Sequence, residues 1–125
     1  MVCAIAVSGI ASQYAPGVME RVVLTRQAGI TSHDLPPVIV GVSGFIAVED
    51  CNSIGEIWNV RGPKGVERLM VADCSGNETT TDWMSRNNIV MEVDHLTARR
   101  WGSIGKGVGV TATSACRATR RYRSE

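Results

Sequence analysis

A chain of 125 residues with thirteen basic and twelve acidic side chains has room for one core, and its balanced charge excludes a broad basic face for nucleic acid. Thirteen glycines, only six aromatic residues (three Trp, two Tyr, one Phe), frequent Val, Ile and Thr and no long 3.6-residue periodicity exclude a helical bundle. They point to a mostly β domain with many tight turns.

Ala4 to Tyr14 reads as a first strand, interrupted at Gly9 and closed by Ala15-Pro-Gly17. Val18 to Gln27 stays open between a short helix and an irregular loop. Thr31-Ser-His-Asp-Leu-Pro-Pro37 is a turn, because its two prolines remove donors and hold the preceding residue extended. Val38 to Val42 and Gly44 to Asp50 are short apolar strands. Gly55 to Arg61 follows, and Gly62-Pro-Lys-Gly65 turns it into a hairpin with the strand Glu67 to Asp73. Thr79 to Asn88 is a short helix, Ile89 to Val93 a strand, and Leu96 to Trp101 one or two helical turns stopped by Gly102. Lys106 to Thr113 is the last strand, with Val108 and Val110 inward.

Six or seven short strands with two short helices suggest a small closed barrel, since closure removes the exposed edges that such strands otherwise offer for pairing. We expect one domain over residues 1–116. A basic tail follows over 117–125, where four Arg face one Glu and no periodic apolar face is present. The apolar run Val2 to Val7 is too short for a membrane helix and lacks the charged flank of a signal peptide, so neither a transmembrane segment nor a leader is expected in this chain.

Two apolar runs each deliver a carboxylate where they stop. Glu67-Arg-Leu-Met-Val-Ala-Asp-Cys74 brings Asp73, and Ile89-Val-Met-Glu-Val-Asp-His95 brings Asp94. Two such strand ends side by side would line a polar groove, and two carboxylates in one groove resist ionising together. The alternatives are that Asp73 holds a turn and that Asp94 caps the helix beginning at Leu96.

Four cysteines allow three pairings. Cys51 and Cys74 both follow strand-like runs, while Cys3 and Cys116 lie near opposite termini. The preferred pairing is therefore Cys51–Cys74 with Cys3–Cys116, which implies an oxidising compartment; four buried thiols are the alternative. None forms a C-x-x-C pair, and with His33 and His95 they give no metal-ligand spacing, so no metal or other cofactor is expected.

Gly9-Ile-Ala-Ser-Gln-Tyr14 resembles the G-x-A-S/T-x-Y opening of the rare lipoprotein A and expansin superfamily, and Thr31-Ser-His-Asp-Leu-Pro36 resembles the A-A-H-x-x-L-P loop of rare lipoprotein A. Leu69 to Asp73 falls where that superfamily has a strand ending in Asp, with N-D-R-G standing here as Ala72-Asp-Cys-Ser75. Val93 to Gly102 resembles the element opened by D-L-S, read here as Asp94-His-Leu, and Lys106-Gly-Val-Gly-Val110 the closing G-x-I/V-x-V strand. The motifs keep the family's order from Gly9 to about Thr113. The resemblance implies a small six-stranded double-psi β-barrel with one or two short helices.

Two activities come with the resemblance. In lytic transglycosylases like rare lipoprotein A, the working Asp and His map to Asp73 and His33. Asp73 would protonate the leaving glycosidic oxygen, Asp94 would supply a nearby charge, and Ser12 and Tyr14 would bind the sugar or orient the acid. In expansins the key acid is that of D-L-S, placed here on Asp94, and the wall is loosened without hydrolysis. Trp83, between the two Asp-bearing strands, is the aromatic residue best placed for stacking on a sugar, whereas Trp101 is expected in the core. The implied partner is peptidoglycan or another wall polysaccharide, and the implied place is secreted, periplasmic or at the cell surface. A non-catalytic polysaccharide-binding module, or an interaction protein on the same barrel, is the alternative.

Overall fold

The computed structural model describes residues 6–114, in which six strands close into one barrel. In chain order they are β1 (Ala6–Gln13), β2 (Gly44–Val48), β3 (Ile57–Gly62), β4 (Gly65–Cys74), β5 (Ile89–Val93) and β6 (Val108–Ser114). Around the barrel the order is β1, β5, β2, β4, β3, β6 and back to β1. The pairs β1/β5 and β2/β4 are parallel, and the other four are antiparallel. The tail over 117–125, with Cys3 and Cys116, lies outside the described residues.

Buried and open positions alternate along β3 and β6, whereas β2 and β4 are buried on both faces over Ile46–Val48 and Leu69–Ala72. Ile46, Val60, Leu69, Val71, Met91 and Val93 are closed to solvent and form the core; each such side chain contributes roughly 1.5–3 kcal/mol by leaving water. The hairpin between β3 and β4 forms as expected, with Gly62 paired to Gly65 and only Pro63-Lys64 between them. Gly65 sits at φ 103, open to glycine at no steric cost. Trp101 packs its indole over Gly62, where a Cβ would lie 2.8 Å from the ring, so its burial in the core is as expected.

Three helices cover the barrel: α1 (Val18–Gln27), α2 (Glu78–Arg86) and α3 (His95–Trp101). The segment left open between helix and loop is thus α1. It carries Glu20 in its first turn and Arg26 in its last, the favourable ends of the helix dipole, and buries Met19 and Val23 four residues apart against the barrel. Asn77 caps α2 by accepting from the Thr80 N–H at 2.8 Å. Asp94 caps α3, which Gly102 ends in the left-handed conformation. None of the described helices is long and apolar enough to cross a membrane.

One expected strand does not form. Val38 to Val42 is a loop in which Val38 and Val40 are about three-quarters exposed. Pro36 and Pro37 just before it and Gly41, at positive φ, work against a ladder. Closure of the barrel also gives β2 two neighbours already, β4 and β5, and leaves it no free edge. Gln27 instead ties the loop to α1 by donating to the Pro36 and Pro37 carbonyls.

Candidate functional site

Four register partners form one row across four adjacent strands. Ser12 of β1 pairs with Glu92 of β5, Glu92 with Ala47 of β2, and Ala47 with Asp73 of β4. Register partners share a face, and with Met91 and Val93 turned to the lumen, Glu92 between them faces outward. The row runs across the barrel wall, with Glu92 and Asp73 two strand spacings apart, roughly 10 Å between Cα atoms, and with Ala47 buried between them.

Asp73 stands at one end of this row with both oxygens engaged. Oδ1 accepts from Nη2 of Arg26 at 2.8 Å, and Oδ2 accepts from the Tyr14 hydroxyl at 2.7 Å. Tyr14 leaves the end of β1, so reaching β4 carries its side chain over the row. Burial and its bond to the charged Asp73 push the phenol well above its ordinary pKa, so Tyr14 stays a donor. Arg26 is in turn fixed by Nη1, which donates to the Thr31 hydroxyl at 3.2 Å and to the His33 carbonyl at 3.1 Å. Its Nε is buried and has no hydrogen-bond partner in the structure.

Glu92 is different. No hydrogen bond reaches its carboxyl among the described residues, and burial first, then the charge of Asp73, pushes its pKa above the usual carboxylate value. The row therefore holds one carboxyl disposed to keep a proton and one held as an acceptor. Environments that separate two carboxyls in this way are what general acid chemistry requires.

Asp94, read from the sequence as the companion of Asp73, has another role. Its Oδ1 accepts from the Phe45 N–H at 2.9 Å and the Thr97 hydroxyl at 2.6 Å, and its Oδ2 accepts from the Thr97 N–H. Asp94 is nearly buried and borders a separate depression between α1 and α3. Gly44 makes this cap possible: a Cβ there would lie 2.2 Å from the Thr97 hydroxyl. Asp94 is thus the N-cap of α3, and Glu92 lies two residues earlier on β5.

His33 joins the Asp73 network through its backbone only, while its ring Nδ1 meets the Ser32 hydroxyl at 3.1 Å. Trp83 is exposed on α2 and does not border the cavity that contains Asp73, whereas Trp58 is buried and donates to Glu56. Ser12 and Tyr14 are both at the row. Sequence reasoning missed Glu92 and Arg26. Next to Asp73, Cys74 is joined to Cys51 in a disulfide, with the Cα atoms 4.9 Å apart. Among the described residues, no group of three or more His, Cys, Asp or Glu side chains is arranged to hold a metal ion.

No protein-family model matches the chain, and no curated protein does. Its fold matches the crystal structure of apo expansin from Clavibacter michiganensis, with a TM-score of 0.54 and 18% identity over 89% of this chain. An aspartate-to-asparagine mutant of a Clavibacter michiganensis expansin, in complex with cellohexaose, matches with a TM-score of 0.53 and 18% identity. The chain spans about half the length of these structures, 50% in each case. The closed six-stranded barrel is the expansin-like double-psi fold.

Proposed function

We propose that this chain is a wall-polysaccharide-acting module of expansin type, with the Ser12–Glu92–Ala47–Asp73 row as its groove and Glu92 as the group that carries a proton to the glycan. The observation that carries this reading is the contrast between the two carboxyls of the row. Both oxygens of Asp73 accept hydrogen bonds, from Arg26 and from Tyr14. Glu92 has its pKa raised by burial and by Asp73. A glycan lying along the groove would meet the proton of Glu92 at a ring or bridging oxygen, with Asp73 and Tyr14 binding its hydroxyls. The fold likeness to an expansin that holds cellohexaose supports the ligand class, and the Cys51–Cys74 disulfide supports a place outside the reducing cytosol. The domain would extend over residues 1–116.

Strand cleavage by lytic transglycosylation is the second reading, and the single disposed acid favours it. In that reaction Glu92 gives its proton to the leaving oxygen as the glycosidic bond breaks. A hydroxyl of the same sugar attacks the anomeric carbon and the Glu92 carboxylate takes that hydroxyl's proton, so one residue serves as acid and then base while Asp73 faces the developing positive charge. Incubation with cellulose, with intact peptidoglycan and with peptidoglycan stripped of its peptides separates the readings. Anhydro-sugar products, lost in Glu92→Gln by about a hundredfold or more, establish cleavage. Wall binding and mechanical weakening without soluble sugar, lost in the same variant, establish loosening. Activity preserved in Glu92→Gln and lost in Asp94→Asn overturns the assignment of the acid.

A further inference from the structure

The first strand and the last pair without a slip. β1 and β6 run antiparallel from Ala6↔Thr113 through Val7↔Ala112 to Ala11↔Val108, one step along β1 for each step back along β6. Carried three residues past Ala6↔Thr113 on the same register, the ladder would set Cys3 opposite Cys116. Val110, Ala112 and Ser114 are the buried, lumen-facing positions of β6, and the two-residue alternation carries that face on to position 116. Directly opposed residues of antiparallel strands have Cα atoms about 4.5 or 5.5 Å apart, and both distances lie within the span of a disulfide. Cys51 and Cys74 are bonded to each other, which leaves Cys3 and Cys116 as the one remaining pair within the chain.

The same end of the barrel holds a cavity of about 360 Å³, where β1, β3 and β5 begin and β2 stops. Val7, Val48, Trp58, Met84 and Ile89 form its apolar side. Ser114, at the end of β6, is the register partner of Trp58, so the two segments that carry the cysteines leave the barrel at the edge of this cavity.

We propose that a Cys3–Cys116 disulfide continues the β1/β6 seam and closes the barrel over this cavity. The two thiols give up two protons and two electrons, and a protein disulfide of an oxidising compartment takes them up and becomes a dithiol. Sulfurs on the lumen face cover apolar walls that a barrel of this size would otherwise leave to water. The bond also fixes the one seam that joins the first strand to the last.

Mass mapping of protein from an oxidising compartment, alkylated without reduction, tests the bond. Trypsin releases Cys3 on the peptide that ends at Arg21 and Cys116 on the peptide 107–117. The expected species joins these two peptides and separates on reduction. Alkylated Cys3 and Cys116, or either one joined to any other partner, overturns the proposal. Hydrogen exchange tests the closure. In Cys3→Ala with Cys116→Ala, amides of residues 6–8 and 112–114 should exchange about tenfold faster or more, while those beside Cys51 and Cys74 keep the parent rate. Unchanged exchange at the seam overturns the closure even where the two peptides are found joined.

Discussion

The two ends of β4 each carry a carboxylate network, built on opposite plans. Near its start, Glu67 accepts from the Trp101 indole N–H at 2.7 Å, from the Ser43 hydroxyl at 2.8 Å and from Arg100. Burial works against its charge, but these donors together outweigh it and hold the carboxyl below its ordinary pKa. At its far end, Asp73 is engaged in the same way, yet Glu92, two strands away in the same row, is half-buried and meets no donor among the described residues. A carboxyl that serves the fold is given every partner it can use. One left short of partners beside a like charge has a cost to the fold, and function is the ordinary reason to keep it.

The largest effect on stability is expected where the chain fixes Asp73. Cys51→Ser with Cys74→Ser opens a loop with a sequence separation of 23, which on loop-closure entropy removes about 3 kcal/mol. Chemical denaturation under non-reducing conditions reads that loss. An unchanged midpoint would mean that the hydrogen bonds of Asp73 hold this end of β4 without the disulfide.

Next comes Glu67→Ala. It leaves the Trp101 N–H and the Arg100 guanidinium without their acceptor and should cost about 2 kcal/mol, while glycan binding stays as it was. Loss of binding with intact stability would reverse the contrast between the two ends.

The strands, the Pro63-Lys64 hairpin and the Cys51–Cys74 bond were legible because each is written locally, in an apolar run, a turn or a run's end. Glu92 was not. It sits mid-strand between Met91 and Val93, where an acid looks like the ordinary solvent side of a strand, and only the register reveals Asp73 nearby. Arg26 likewise stood in a segment left open between helix and loop; that it reaches a strand 47 residues away is a fact of packing. For Asp94 the sequence left a groove acid and a helix cap both open, because a strand-end aspartate and a helix cap share one position; the Phe45 and Thr97 donors that show the cap come from the fold. Val38 to Val42 has strand composition, but whether a strand forms depends on a free edge, and a closed barrel offers none.

The smallest expected effect is the pH dependence that separates the two carboxyls. The ordinary value for both is 4.5. Glu67, lowered in the folded state, contributes stability that is present above pH 4.5 and is lost as the pH falls through its folded value. Glu92, raised in the folded state, contributes in the opposite sense: the folded protein holds its proton longer than the unfolded chain, so stability falls as the pH rises from 4.5 through its folded value. Glu92→Gln replaces the protonated carboxyl with a neutral group of the same shape. It should match the parent below pH 4.5 and become the more stable of the two above it, by a small margin because a half-exposed charge is screened by water. Melting temperatures of both proteins between pH 4 and 7 read the divergence. Parallel curves would mean that Glu92 ionises as it does in the unfolded chain, and the contrast with Asp73 that carries the functional reading would then be gone.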